Sequence, residues 1–302
     1  MTKTNGPTNL QGVYALLATP FHEDKSIDWN VYRQYVEWQV SHRPHHLFAV
    51  CGSSEMTMLS LEERVRLASE AVRRSSGIPV VATANLEHGL PAQQEEIKRM
   101  TDTGVCALVL TTRGLGFDQQ RLHNYLIELT QYCTIPVLLY EFPGYGNARL
   151  SPEIYEQLVA EAGISGVKDT TCTLADIGKK ITRAPHSAVI QANIALLLDS
   201  YRIGAAGVMA TTSIAAVQTL LKHWHAYHNP AGGTTDVEEW QAQIVIQSAI
   251  LGKSFPASSK YFISLQGIPF KPVVRSASVA LNAAQIAQLD SYYSWAAKHH
   301  TV

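Results

Sequence analysis

Disulfide frameworks and zinc sites are the first structures this sequence excludes, because it has only four cysteines in 302 residues and they stand far apart. Cys51, Cys106, Cys133 and Cys172 offer no pair at the close spacing that zinc or a redox dithiol requires, so reduced and mostly packed thiols are expected. An excess of charge of either sign is also lacking. With 24 Lys+Arg against 25 Asp+Glu, the formal net charge of -1 provides no general attraction to nucleic acid or to an anionic membrane. No run approaches the roughly 18 apolar residues of a membrane span, and the opening MTKTNGPTNLQG has no apolar stretch of signal-peptide character. The expectation is a soluble, cytoplasmic protein whose partner is a small molecule or another copy of the chain.

What the chain does contain is a recurring alternation. Short apolar segments rich in β-branched residues are each followed by a stretch whose apolar residues recur at three and four, the pattern of strands feeding amphipathic helices in a parallel sheet. Eight such strands are expected, at Tyr14–Thr19, Leu47–Cys51, Pro79–Thr83, Ala107–Leu110, Pro136–Tyr140, Ser165–Lys168, Ala188–Gln191 and Gly207–Ala210. They start about 20 to 33 residues apart, the length of one β/α unit. Ser60 with Glu63, and Ser151-Pro152-Glu153, carry the signatures of helix starts. A closed (β/α)8 TIM barrel over residues 1–211 accounts for this most simply. An open doubly wound sheet is the rival, but no Gly-x-Gly-x-x-Gly follows the first strand. Residues 212–302 turn helical, as in VEEWQAQIVIQSAILG, and are expected to form an appendix packed on the barrel.

In such a barrel the chemistry sits at the C-terminal ends of the strands. Five places there carry polar residues: Thr19-Pro20, Gly52-Ser53-Ser54-Glu55, Tyr140-Glu141, Lys168-Asp169 and Thr211-Thr212. Lys168 ends the sixth strand. Buried in a partly apolar pocket, its amine would keep a neutral fraction near pH 7 and could attack a carbonyl carbon; the alternative is a surface lysine at a strand end. Tyr140 ends the neighbouring strand, so phenol and amine would share one mouth. A tyrosine there can transfer protons, with its ordinary pKa of about 10 lowered by a nearby ammonium or iminium; the alternative is a core tyrosine. The hydroxyls and amides of Ser53 and Ser54, at a strand-to-helix turn, suit a carboxylate. His42, His45 and His46 lack convincing ligand spacing and are expected to face solvent.

ALLATPF, CGSSEMTMLSLEER, IPVVATAN, IPVLLYEFPG, GISGVKDTT and GAAGVMATTS together resemble the dihydrodipicolinate synthase and N-acetylneuraminate lyase superfamily of pyruvate-dependent class I aldolases. The resemblance implies Lys168 as the imine-forming lysine, Tyr140 as the proton-transferring tyrosine, and Ser53 with the Ser54 amide as the carboxylate-binding pair. It also places Met209, within GVMA, in the site and implies a homo-oligomer, a dimer or a tetramer built from dimers. Departures fall on positions that distinguish members. Gly52 stands where synthases carry a threonine, Thr112-Arg113-Gly114 replaces a proline-tyrosine-tyrosine segment, Glu141 replaces an asparagine, and Tyr145 stands where synthases place a carboxylate-binding arginine. True dihydrodipicolinate synthase activity is therefore not expected. A carboxylate-bearing second substrate needs a cation at the mouth, which Glu141 would oppose and Arg113 could supply from another loop, unless the two pair with each other or with solvent.

The expectation is thus a lyase or aldolase in which Lys168 condenses with pyruvate or another 2-oxo acid, with an aldehyde as the possible second reactant. Neither a metal nor an organic cofactor is required, because the iminium serves as the electron sink. A dehydratase of sugar-derived 2-oxo acids using the same imine, and a keto-acid-binding barrel without turnover, are the competing readings. Arg113, Glu141 and Tyr145 are candidate substrate contacts in all three.

Overall fold

The computed structural model describes residues 9–229, 236–275 and 280–299; most of the polar N-terminal stretch, residues 1–8, lies outside them. Eight parallel strands close into a barrel in sequence order, β1 to β8. They are β1 (Gly12–Leu16), β2 (His46–Phe48), β3 (Val80–Ala84), β4 (Ala107–Thr111), β5 (Val137–Tyr140), β6 (Gly166–Asp169), β7 (Ala188–Gln191) and β8 (Gly207–Val208). All eight expected strands are present. Their ends differ by a few residues, chiefly at β1, β2 and β8, which leave the ladder sooner than their apolar runs end.

Closure between β8 and β1 depends on glycine. Gly207 pairs with Gly12, and a Cβ on Gly207 would fall 2.1 Å from the Gly12 carbonyl oxygen, so a side chain at this seam would push the strands apart. Around the barrel run α1 (Trp29–Ser41), α2 (Leu61–Arg74), α3 (Leu90–Thr101), α4 (Gln119–Thr130), α5 (Pro152–Ala162), α6 (Leu174–Arg183), α7 (Leu197–Arg202) and α8 (Ser213–His228), the last packed on β1. Three further helices follow: α9 (Val237–Gly252), α10 (Ala257–Leu265) and α11 (Ala283–Lys298). No helix among the described residues is long and apolar enough to cross a membrane.

The expected helix starts form for the expected reason. Ser60 accepts from the Glu63 amide at 3.2 Å while Glu63 accepts from the Ser60 amide at 2.9 Å, and Ser151 caps α5 by accepting from the Ile154 amide. The histidines do not face solvent. His46 is part of β2, buried, stacked on Tyr14 at 4.2 Å between ring centres and bonded to the Asn9 carbonyl, while His45 Nδ1 accepts from the Val13 amide. The segment joins the ladder one residue earlier than its apolar run begins, and the rings pack inward. All four cysteines are free thiols; Cys51 and Cys133 are buried and Cys172 is exposed.

Candidate active site

Register and alternation decide what reaches the barrel interior. Tyr140 and Lys168 are direct partners across β5 and β6, so their side chains point the same way. Lys168 is 3% exposed, and its Nζ lies 4.2 Å from the centre of the Tyr140 ring and 5.5 Å from that of Phe48. Among the described residues no carboxylate comes within ion-pair distance of it. Burial without a counter-charge pulls its pKa down to about 8, so a neutral amine is accessible near physiological pH. Tyr140 behaves otherwise than its neighbour lysine led us to expect. Burial pushes the phenol well above its ordinary value instead of a cation lowering it, because Nζ sits over the ring face and is itself inclined to neutrality. Tyr140 is therefore held neutral, with its proton in place.

Above this pair opens a cavity of about 340 Å³ whose wall includes Ser53, Tyr140, Lys168 and Met209. The Ser53 hydroxyl is buried and has no hydrogen-bond partner among the described residues, so its proton is available to a bound anion. Gly52 admits its neighbours: a Cβ there would meet the Phe142 ring at 2.9 Å and the Tyr140 hydroxyl at 3.1 Å. The threonine of the synthase pattern has no room beside Phe142. Sequence reasoning missed Phe142, Thr170, Cys172, Asn193 and Phe255, all in the same wall. Phe142 and Thr170 lie two residues beyond Tyr140 and Lys168, so strand alternation could have pointed to them; Phe255 arrives from the turn between α9 and α10, which no local pattern foretells.

Four expected contacts lie elsewhere. The Ser54 amide donates to the Cys51 carbonyl at 3.0 Å, and its hydroxyl is 2.7 Å from the Leu17 carbonyl while accepting from the Cys51 amide, so Ser54 holds the turn together. Glu141 points to the opposite side from Tyr140, as the next residue along an extended chain must. With Asp169, which follows Lys168 in the same way, it meets Lys180 of α6 at 2.9 Å and 2.7 Å, all three side chains being buried. Burial lifts the Glu141 carboxyl above its usual range and the Lys180 ammonium partly offsets this; burial lowers Lys180, and the two carboxylates more than restore it. The Glu141–Arg113 pair, the alternative to substrate contact, does not form among the described residues. The Arg113 guanidinium instead donates to the Asn85 and Leu86 carbonyls and to the Tyr145 hydroxyl, and neither Arg113 nor Tyr145 lines the cavity.

The turn at residues 52–55 is fixed from residues 205 and 220 positions later in the chain. Glu55, left-handed at φ 58°, accepts from Lys260 of α10 at 2.5 Å and from the Arg275 amide at 2.7 Å, and Arg275 also clamps Glu63 through both terminal nitrogens. Thr19, at the end of the first expected strand, donates to the Ser54 carbonyl. No group of three or more His, Cys, Asp or Glu among the described residues could hold a metal ion.

Residues 9–293 match the dihydrodipicolinate synthetase family. The chain belongs to that family. A 4-hydroxy-tetrahydrodipicolinate synthase of Brucella abortus biovar 1 is 25% identical over 286 residues, covering 93% of this chain and 96% of its own. YagE, a prophage protein of the family from E. coli K12 solved in complex with pyruvate, superposes with a TM-score of 0.84 at 20% identity over 97% of this chain and 99% of its own. A monomeric dihydrodipicolinate synthase variant superposes with a TM-score of 0.88 at 18% identity over 99% of this chain and 100% of its own. The low identities mark this chain as a divergent member of the dihydrodipicolinate synthetase family, with the barrel of the family's lyases and aldolases.

Proposed function

We propose that this chain is a Schiff-base lyase or aldolase acting on pyruvate or a pyruvate-containing substrate. The observation that carries the reading is a buried amine with no carboxylate partner, placed in register beside a neutral phenol. Neutral Lys168 Nζ attacks the C2 carbonyl of the 2-oxo acid; Tyr140 gives the proton with which the former carbonyl oxygen leaves as water, and the iminium results. Ser53 donates its hydroxyl to the carboxylate, and Met209 packs against the bound acid. Tyr140, left as a phenolate by that step, takes a proton from C3 and turns the iminium into an enamine, which adds to an aldehyde; the reverse sequence cleaves the carbon–carbon bond. Pyruvate bound by the E. coli relative is in keeping with this choice of acid.

Borohydride trapping with pyruvate, followed by intact mass, tests the assignment. An adduct on Lys168 is expected, absent in Lys168→Ala and formed roughly 10²–10⁴ times more slowly in Tyr140→Phe. Persistence of the adduct in the alanine variant refutes the lysine assignment. A dehydratase would use the same imine, and the products separate the two, since only cleavage releases an aldehyde. Assembly into a dimer or tetramer is proposed alongside, in keeping with the family to which the chain belongs. Light scattering coupled to size exclusion tests it.

A further inference from the structure

The cavity extends well past the reacting pair. At about 340 Å³ it falls within the roughly 300–1,000 Å³ of pockets that enclose ligands larger than a three-carbon acid, so its outer wall bears on whatever pyruvate is joined to or released from. Apart from Lys168, no charged side chain of the described residues lines it. The nearby cations are committed: Arg113 to two carbonyls and Tyr145, Lys180 to Glu141 and Asp169, Arg149 to Asp176.

Three of the outer polar side chains are already engaged. Thr170 donates its hydroxyl to the Glu141 carbonyl, while Asn193 donates to Cys172 Sγ at 3.0 Å and accepts from the Ala195 amide at 2.9 Å. What remains is mostly apolar, two rings included, with the Thr211 hydroxyl the exception. Phe142 lies across the space left by Gly52, and Phe255 forms another part of the wall. A carboxylate seated there would lose its hydration with no cation to replace it, and a chain of hydroxyls would find few free partners.

Resting on the lyase reading above, we infer that the second reactant is an uncharged aldehyde with an apolar, aromatic body, and not a carboxylate-bearing or polyhydroxylated one. The enamine C3 of pyruvate bonds to the aldehyde carbon, and the aldehyde oxygen takes the proton relayed by Tyr140. Water then hydrolyses the imine, frees Lys168 and releases a 4-hydroxy-2-oxo acid. The water lost in forming the imine is regained here, and no oxidant or reductant is needed. Phe142 and Phe255 are the specificity-determining residues.

The wild-type protein is incubated with pyruvate and, separately, benzaldehyde, succinic semialdehyde, glyceraldehyde or acetaldehyde, and the condensation product is quantified by mass spectrometry. Benzaldehyde is expected to show a kcat/KM at least about tenfold above succinic semialdehyde and glyceraldehyde, since apolar pocket contacts discriminate by roughly 10–200-fold. Equal or faster coupling of either competitor overturns the inference. So does a protein that traps pyruvate on Lys168 yet couples none of the four, an outcome that leaves the lysine chemistry standing. Failure of the trapping itself removes both. In Phe255→Ala the benzaldehyde-to-acetaldehyde ratio of kcat/KM is expected to fall about tenfold; an unchanged ratio contradicts the role given to that ring.

Discussion

Lys168 and Lys180 are buried lysines served by the same pair of strands, and they have opposite fates. Lys168 projects into the barrel among the rings of Phe48 and Tyr140, whereas Lys180 reaches from α6 to the outer face of β5 and β6, where Glu141 and Asp169 wait for it. One step along an extended chain separates Tyr140 from Glu141 and Lys168 from Asp169, and that step reverses the side on which each side chain lies. Burial acts on both amines. Only the presence or absence of carboxylates decides that Lys180 stays charged and that Lys168 reaches neutrality near pH 8. Reactivity here is a matter of which partners the fold withholds.

Removing each lysine in turn should expose the contrast. Lys180→Met leaves two buried carboxylates facing each other and is expected to destabilise the protein by about 3–5 kcal/mol in denaturant unfolding; a loss below about 1 kcal/mol would show that the cluster is far better solvated than its burial indicates. Lys168→Met should do the reverse. The unfolded lysine titrates near 10.5 and the folded one near 8, so between those values the unfolded state binds more protons and stability rises with pH. Below about pH 8 the full penalty of burying the amine applies. Replacing Lys168 is therefore expected to stabilise the fold at pH 7 by on the order of 3 kcal/mol, with the gain shrinking as pH approaches 10.5. A destabilised variant at pH 7 would end the claim that this amine is held against its preference.

The smallest effect is kinetic. If one group near pKa 8 governs imine formation, the rate of borohydride-trapped adduct formation should rise about fivefold between pH 7 and 8 and level off above. The same assay on Lys180→Met should retain that profile, because its ammonium lies on the other face; a profile displaced by a full unit would mean that the two amines are coupled through β6.

Much of this was legible in the sequence. Eight apolar segments at β/α spacing specify the barrel, and a lysine and a tyrosine closing adjacent segments specify the side-by-side amine and phenol. Other features depended on relations that local pattern does not carry. Arg113 looked like a substrate cation because its loop follows a strand end, but its guanidinium is turned to backbone carbonyls brought close by folding, to which one of its terminal nitrogens donates. Ser54 looked like half of an anion site, yet a three-residue turn needs its amide and hydroxyl for itself. Glu141 was readable in principle, since alternation turns it away from Tyr140; identifying Lys180, 39 residues later, as its partner required the packing of α6. The charge on Tyr140 was misjudged because a neighbouring cation was weighed without the burial both groups share.

The tether from Glu55 to Lys260 and Arg275 spans 205 and 220 residues of chain. A nascent polypeptide can therefore wind all eight strands while the acidic end of its Gly52-Ser53-Ser54-Glu55 turn still lacks both clamps. The turn acquires both clamps only once Lys260 and Arg275 have been made, so a ribosome-stalled chain ending before Lys260 would hold the strands with this turn untethered.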